Sequence, residues 1–237
     1  MDELLYMIDA SFARSNIRLT AEQKVQFQIY CEFLLEYNQK VNLTAITQKQ
    51  EIIDMHFIDS LAGTHLSEIS NGAVCADIGT GAGFPGVPLA IARPDIQVVL
   101  IDSLKKRLVF LDELKEKLNL KNVYTLHGRS EDLAHDNQLR EHFDCVFSRA
   151  VARLNVLSEY VLPFVKKGGY MLAWKGPAFT EELEEAKNSL KILGAEVENI
   201  YTSDVDQRQH FIVAIKKCGI TPLKYPRQAG TPKKNPL

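Results

Sequence analysis

From Gly72 onwards, runs of residues typical of buried strands alternate with runs typical of amphipathic helices, and this alternation constrains the fold most. The predicted strands span residues 74–78, 98–102, 123–127, 143–148 and 169–174, and residues 197–202 and 210–216 form a closing hairpin across 203–209. The predicted helices span residues 85–93, 106–118, 154–165 and 180–193. Strands connected through helices run parallel. The sequence therefore predicts a doubly wound α/β fold with a mostly parallel seven-stranded sheet and one reversed edge strand.

The segments on either side of this pattern differ from it in periodicity and charge. Residues 1–70 place apolar side chains at helical spacing and predict a helical lobe, with a capping box at Thr20 and Gln23. Their net charge is −5, residues 71–217 carry −1, and residues 218–237 carry +4. The last segment has prolines at 222, 226, 232 and 236 and predicts an extended tail. We therefore divide the chain into a lobe (1–70), an α/β domain (71–217) and a basic tail (218–237).

Composition excludes several classes of protein. An apolar fraction of 46% and a charged fraction of 24% argue against disorder, a fibre and a membrane bundle. Apolar runs are far shorter than the roughly 20 residues that span a bilayer, and the acidic N-terminus does not resemble a signal peptide. The four scattered cysteines are typical of reduced thiols. We expect a cytoplasmic protein that contains no metal and does not bind membranes.

A glycine-rich loop follows the first predicted strand and leads into a helix. Gly79, Gly81 and Gly83 alternate with small residues, and Asp77 lies in the strand just before them. Glycines let a ligand approach the backbone closely, and in such sheets ligands bind at the carboxyl ends of the strands. The alternative interpretation is a tight turn that binds no ligand. Three alternating glycines and an acidic residue in the strand argue against it.

The loop favours S-adenosylmethionine over a dinucleotide. A dinucleotide fingerprint requires glycine at the position of Phe84. Asp77 would repel a pyrophosphate and suits a ligand with positive charge, such as an ammonium or a sulfonium. Asp102, at the end of the second predicted strand, is placed to accept a ribose diol.

These features resemble the class I methyltransferases, which have a Rossmann-like fold. Over most of the chain, the sequence is similar to the RsmG (glucose-inhibited division protein B) family. The shared segments are residues 42–44 (Asn-Leu-Thr), 56–61 (His-Phe-Ile-Asp-Ser-Leu), 77–86 (Asp-Ile-Gly-Thr-Gly-Ala-Gly-Phe-Pro-Gly), 102–107 (Asp-Ser-Leu-Lys-Lys-Arg), 128–131 (Gly-Arg-Ser-Glu), 148–152 (Ser-Arg-Ala-Val-Ala) and 227–237 (Arg-Gln-Ala-Gly-Thr-Pro-Lys-Lys-Asn-Pro-Leu). The glycine loop is specific to the superfamily, whereas the Ser-Arg-Ala segment and the tail are specific to the family.

The resemblance implies an S-adenosylmethionine-dependent enzyme that methylates N7 of one guanine of 16S rRNA, guanine-527 in standard numbering. It also implies 16S rRNA or a small-subunit particle as partner. It implies cofactor contacts at Gly79, Phe84, Ser130, Glu131 and Arg149, with the ribose on Asp102. From position alone, Glu131 is equally well explained as an acid at a helix N-terminus, and Arg149 as a surface arginine.

The residues after the fourth predicted strand fit methylation of a ring nitrogen. They read Ser148-Arg149-Ala150-Val151, whereas enzymes that modify exocyclic amines often carry Asn/Asp-Pro-Pro-aromatic there. Methylation of pyrimidine C5 needs a reactive thiol, and Cys145 lies mid-strand, where burial makes it inert. Guanine N7 needs no base, so alignment of the reactants is sufficient. We therefore assign Arg149 as the candidate catalytic residue, with a positioning role.

Two further groups of residues have alternative interpretations. His56 and Asp59 could bind metal, but no third ligand is evident, and a hydrogen-bonded junction between lobe and sheet fits them better. The tail could bind RNA or pack on its own domain and shape the pocket. Candidate phosphate contacts are Lys105, Lys106, Arg107, Arg153, Lys175, Arg227, Lys233 and Lys234.

Two other functions stay open: a nicotinamide-dependent oxidoreductase and a non-catalytic nucleotide-binding module. The sequence leaves the oligomeric state unknown, although a monomer is favoured. If the methyltransferase interpretation is right, Asp77, Gly79 and Gly81 form the methionine end of the pocket. Arg149→Ala should then nearly abolish methyl transfer with little loss of stability. If the tail binds phosphate, deletion of residues 227–237 should weaken RNA binding and methylation, most at high salt, while cofactor affinity remains.

Overall fold

The computed structural model describes residues 3–205 and 208–237, except for the side chains of 204, 205 and 208. Seven strands form one sheet: β1 (Val74–Ile78), β2 (Gln97–Asp102), β3 (Val123–His127), β4 (Phe143–Arg149), β5 (Val165–Lys175), β6 (Ala195–Val205) and β7 (Arg208–Lys217). Their order is β3-β2-β1-β4-β5-β7-β6. β7 pairs antiparallel with β5 and β6, and the other pairings are parallel. The predicted fold class is confirmed, and the order places the carboxyl ends of β1, β2 and β4 side by side.

Helices cover both faces of the sheet. They are α5 (Gly86–Ala92), α6 (Lys105–Lys117), α7 (Ser130–Leu133), α8 (Leu154–Val161) and α9 (Phe179–Ile192). The predicted helix over 154–165 is too long: a 3₁₀ turn occupies Leu162–Phe164, and Val165 begins β5. Pro163 cannot donate the backbone hydrogen bond that an α-helix requires, which explains this early end. The predicted hairpin is present, but its strands are longer, and residues 206 and 207 of its turn lie outside the described residues.

The N-terminal lobe is helical, as predicted. It contains α1 (Glu3–Arg14), α2 (Ala21–Asn38) and a third segment made of α3 (Lys49–Ile52), a π-helical stretch (Ile53–Ile58) and α4 (Asp59–Leu61). The capping box is confirmed, with Gln23 N donating to Thr20 Oγ1 at 3.2 Å and Thr20 N donating to Gln23 Oε1 at 2.9 Å.

The lobe and the sheet domain share one hydrophobic core. Tyr30 and Phe57 of the lobe belong to the same buried cluster as Val87 and Phe110 of α5 and α6. The Tyr30 ring stacks on Phe84 beside the glycine loop, and its hydroxyl donates to Ala82 O at 2.5 Å. The lobe therefore supports the loop directly. The division of the chain after residues 70 and 217 stays a prediction.

Candidate active site

The glycine loop turns sharply between β1 and α5. Gly79 and Gly81 have φ values of +72° and +61°, in the left-handed region that favours glycine. A Cβ at Gly79 would lie 2.5 Å from Val151 Cγ2, whereas a Cβ at Gly81 would meet nothing closer than Gly79 O at 4.0 Å. Because Gly79 has no side chain, Val151 can pack against it, and the space beside Gly81 stays open.

A cavity of about 300 Å³, which we call the cleft, opens in front of this loop. It lies at the carboxyl ends of β1, β2 and β3, where ligands bind in sheets of this type. Four of the predicted cofactor residues share it: Gly79, Asp102, Ser130 and Glu131. Its other lining residues are Ile78, Ile101, Ser103, Gly128, Arg129, Val151 and Tyr160.

Asp102 is a buried acceptor at the end of β2. Its Oδ2 accepts hydrogen bonds from Gly81 N (3.0 Å) and Arg107 Nη1 (3.1 Å), and its Oδ1 accepts one from Leu104 N (2.8 Å). An ionised carboxylate has about four acceptor sites. One site on Oδ1 therefore remains for a ligand hydroxyl, which is compatible with the predicted ribose contact.

Glu131 connects the cleft to the C-terminal tail. Its Oε1 accepts a hydrogen bond from Gly230 N at 3.1 Å, and its Oε2 accepts one from Ser130 Oγ at 3.3 Å. Each oxygen keeps one further acceptor site, so the carboxylate can still bind an amino group. Gly230 precedes the short helix α10 (Thr231–Lys234), so the tail supports Glu131 without lining the cleft itself.

Asp77 lies behind the loop and does not line the cleft. Its side chain is fully buried, and its Oδ2 accepts from Thr80 Oγ1 (2.8 Å) and Gly86 N (2.9 Å). Burial raises the pKa of Asp77 to about 6. Its Oδ1 is buried without a hydrogen-bond partner. Oδ1 has no donor among the described residues, and a cationic ligand in front of the loop would stabilise the ionised form of this carboxyl.

Arg149, at the end of β4, joins the sheet to the lobe. Its Nη1 donates to Asp59 Oδ2 at 2.7 Å and to Met55 O at 3.0 Å, and its Nη2 lies 2.9 Å from His56 Nδ1. The guanidinium also lies 5.0 Å from the centre of the Phe84 ring. The predicted cofactor residue Phe84 therefore packs at this junction and does not line the cleft. Arg149 is therefore a partly buried ion-pair partner and not a surface arginine.

The hydrogen bonds fix the tautomer of His56. Burial and the neighbouring Arg149 lower the pKa of His56 to about 3, so the ring is neutral. Because Arg149 can only donate, we assign His56 Nδ1 as its acceptor, although Nδ1 also lies 3.2 Å from Met55 O, and we assign Nε2 as the donor to Thr44 Oγ1 at 2.9 Å. Asp59 Oδ1 in turn lies 2.7 Å from His210 Nδ1 on β7. The predicted hydrogen-bonded junction at His56 and Asp59 is confirmed.

A second cavity of about 510 Å³ opens beside this junction. Val151 lines both the cleft and this second cavity, and Ala150 just before it adopts φ +56°, which is uncommon outside glycine. The remaining lining residues are Ile46, Met55, His56, Asp59, Arg149, Ala152, Arg153, Trp174, Lys175, Gly176, Glu182 and His210. The segment after β4 therefore separates two adjoining sites.

Several of these residues were not found from the sequence. Val151 lay inside the family-like Ser-Arg-Ala segment, and its place after β4 was the only available signal. Tyr160, Glu182 and His210 reach the two cavities from α8, α9 and β7. No local pattern marks them, because long-range packing brings them to the site.

The tail packs on the domain, which corrects the prediction that it is extended throughout. Arg227 Nη2 donates to Oε2 of the fully buried Glu159 at 2.6 Å, and its Nε donates to Oε1 at 2.9 Å. Arg140 binds the tail carbonyls of Thr221 and Tyr225, both at 2.9 Å. The alternative interpretation, in which the tail packs on its own domain, is therefore the one that fits.

Three of the candidate phosphate contacts are engaged within the protein. Arg107 binds Asp102, Arg227 binds Glu159, and Lys175, whose side chain is 8% exposed, binds Glu182. Arg153 forms an exposed pair with Glu185. The other four candidates, Lys105, Lys106, Lys233 and Lys234, are also exposed.

Within residues 3–205 and 208–237, no group of three or more His, Cys, Asp and Glu side chains could hold a metal ion. No helix in the same part of the chain combines the length and the apolar character that a bilayer crossing requires. Cys145 is buried, as predicted, and burial raises the pKa of its thiol.

Replacement of Gly81 by valine tests the loop. We expect weaker binding of S-adenosylmethionine, because the new side chain fills the open space in front of Gly79 O. Gly72→Val is the matched control, since Gly72 has a similar φ of +73° and its Cβ also meets nothing within 4 Å. Both variants carry the same backbone strain, so titration calorimetry should show reduced affinity for Gly81→Val alone. Equal affinities would place the ligand elsewhere.

Comparison with known proteins decides the family. Residues 23–212 match the family model GidB, described as rRNA small subunit methyltransferase G. The chain belongs to this family. It is 51% identical over 226 residues to the ribosomal RNA small subunit methyltransferase G of Desulfitobacterium hafniense (strain Y51), a match that covers 94% of this chain and 93% of the relative. The enzyme of the same name from Lactobacillus acidophilus is 45% identical over 229 residues, with 95% of each protein covered.

Solved structures agree on the fold. The crystal structure of M. jannaschii TYW2 in complex with AdoMet aligns with a TM-score of 0.55 at 17% identity, covering 73% of this chain and 79% of that protein. At this identity the similarity shows the Rossmann-like methyltransferase fold alone. Family membership and fold together establish the chain as a methyltransferase of the RsmG family.

Proposed function

We propose that this protein transfers a methyl group from S-adenosylmethionine to N7 of guanine-527 of 16S rRNA. The observation that supports this most strongly is the pair of adjoining cavities that share Val151. One has the acceptors that a nucleoside cofactor needs, and the other has room for a base. The names of the curated relatives give the substrate class as ribosomal RNA of the small subunit.

The residues of the cleft fit the proposed cofactor. Asp102 would hold the ribose, Glu131 with Ser130 the adenine end, and Gly79 the methionine end. Gly81, which does not line the cleft, donates to Asp102 beside it, and Asp77 lies behind the loop. The orphaned Asp77 oxygen and the open space at Gly81 are the features of the structure that favour this assignment. When bound, the cofactor supplies an electrophilic methyl group on a positively charged sulfur.

The residues of the second cavity position the acceptor base. Guanine N7 has a lone pair and no proton, so its methylation needs no general base. Arg149 cannot remove a proton in any case, because a guanidinium stays protonated. Its contacts with Asp59 and His56 hold the end of β4 in place and orient Ala150 and Val151 between the cavities. Catalysis would then rest on alignment.

We further propose that the protein acts as a monomer in the cytoplasm on rRNA or on a small-subunit particle. The exposed lysines 105, 106, 233 and 234 would contribute phosphate contacts.

The direct test is a pair of binding and transfer assays. We expect S-adenosylmethionine to raise the melting temperature and NAD to leave it unchanged. Labelled methyl groups should pass to small ribosomal particles from cells that lack this enzyme, and not to particles that already carry the modification. Stabilisation by NAD alone would favour an oxidoreductase, and binding of S-adenosylmethionine without transfer to any RNA would favour a non-catalytic module.

A further inference from the structure

The second cavity contains a carboxylate with hydrogen bonds to only one of its two oxygens. Glu182, on α9, has a side chain that is 15% exposed. Its Oε2 accepts hydrogen bonds from Leu154 N at 2.9 Å and from Lys175 Nζ at 2.7 Å. Its Oε1 accepts no hydrogen bond from the described residues. This oxygen is therefore available to accept a hydrogen bond from a ligand in the cavity.

Lys175 adds a cationic donor next to this acceptor. Its ammonium group donates to Ala152 O and to Glu182 Oε2, both at 2.7 Å. An ammonium has three hydrogens, so one remains for a further acceptor. Both side chains line the second cavity, and neither lines the cleft.

This pair matches the Watson–Crick edge of guanine. That edge presents two adjacent donors, N1–H and the N2 amino group, beside the acceptor O6. Adenine presents a bare N1 lone pair at the equivalent position, which a carboxylate would repel. Bases that leave the stack are read through this edge. The free oxygen of Glu182 suits the two donors, and the free hydrogen of Lys175 suits O6.

The placement also fits the chemistry proposed for the site. N7 lies on the side of guanine away from the N1 and N2 donors. A base that Glu182 and Lys175 hold through that edge presents N7 on its opposite side. The cleft adjoins the second cavity at Val151, the residue that lines both.

We propose that Glu182, oriented by Lys175, selects guanine by accepting hydrogen bonds from its N1–H and N2 amino groups. This inference rests on the proposed function, since it assigns the base-recognition step of the same site. Glu182 is in this view a specificity-determining residue.

The test compares guanosine with inosine at the target position of otherwise identical reconstituted small-subunit particles. Inosine keeps N7, N1–H and O6 and lacks only the N2 amino group. Loss of one hydrogen bond to a charged acceptor should lower kcat/KM of the wild-type enzyme by roughly 10- to 100-fold. The enzymes are wild type, Glu182→Gln and, as matched control, Glu184→Gln. Glu184 is exposed on the same helix and pairs with Lys187.

Glu182→Gln has a defined expected orientation. Leu154 N and Lys175 Nζ both donate, so the amide oxygen should face them and the amide NH₂ should face the base. Transfer to guanosine should then fall, and the preference for guanosine over inosine should shrink to about onefold. The control should keep the wild-type preference. All three enzymes should bind S-adenosylmethionine equally.

The results separate this inference from the proposed function. If wild type methylates neither substrate, the proposed function fails. If it methylates guanosine and inosine equally well, the proposed function stands and recognition of the N2 amino group is wrong. If Glu182→Gln slows both substrates by the same factor, Glu182 serves the structure of the site only, and the inference is overturned.

Discussion

Replacement of Arg149 by alanine will lower methyl transfer by roughly 100-fold or more and will also destabilise the protein. Arg149 holds the end of β4 against the lobe, and misplacement of reacting groups by about 1 Å costs about 100-fold. The buried Asp59 would keep His210 and lose its guanidinium partner. Removal of one partner from a buried ion pair costs about 3 kcal/mol of the free energy of unfolding. The sequence alone predicted little loss of stability, because it did not show that Arg149 pairs with Asp59.

A second variant separates the two effects. In Arg149→Ala/Asp59→Asn a neutral amide replaces the buried carboxylate. Denaturant unfolding should therefore show that part of the lost stability returns, while methyl transfer stays low. Arg14→Ala is the control, because Arg14 is 68% exposed and pairs loosely with Asp54 at 3.6 Å. Surface pairs contribute about 0–1 kcal/mol. If the double variant methylates at the wild-type rate, Arg149 has no role in positioning.

Replacement of Arg227 by alanine will destabilise the protein by about 3 kcal/mol and weaken cofactor binding. Glu159 is fully buried and would keep only the backbone N–H of Arg227, at 2.7 Å. The tail after residue 227 would loosen, although Arg140 would still hold Thr221 and Tyr225, and the hydrogen bond from Gly230 N to Glu131 would be lost. Loss of one hydrogen bond to a charged group implies roughly tenfold lower affinity for S-adenosylmethionine.

The salt dependence of RNA binding distinguishes this role from a phosphate contact. The Arg227 guanidinium is engaged by Glu159, so Arg227→Ala should leave the salt slope unchanged. Lys234→Ala is the control: it is exposed in the same tail and should leave stability and cofactor affinity unchanged. A slope lower by about one unit in Arg227→Ala, with stability retained, would mean that Arg227 contacts phosphate and that this account of the tail is wrong.

The fold could be predicted from local patterns because strand and helix periodicities are local. β1 and β3 begin and end at the predicted residues. Errors arose where one residue overrides a pattern: Pro163 ends α8 early. Helical spacing alone does not show which apolar side chains of α2 are covered: Val25 is 43% exposed, whereas Phe27 packs on Phe12 and Phe57, and Tyr30 packs on Phe84.

The site was predictable only where it follows from the loop and strand ends. Gly79, Asp102, Ser130 and Glu131 come together because parallel strands end at one edge of the sheet. The partners of Arg149 and Arg227 lie 90 and 68 residues away in sequence, so no local pattern could pair them. The tail composition suggested an extended segment, because it does not reveal the buried Glu159 that anchors Arg227.

The most direct measurement of the central claim is the position of the transferred methyl group. Small-subunit rRNA from particles that lack the modification should be incubated with the protein and S-adenosylmethionine. It should then be reduced and treated with aniline, which cleaves RNA at N7-methylguanosine. We expect one new cleavage, at guanine-527, with wild type and none with Arg149→Ala. A transferred methyl group that produces no cleavage there, and is found on another base atom or on ribose, would contradict the account.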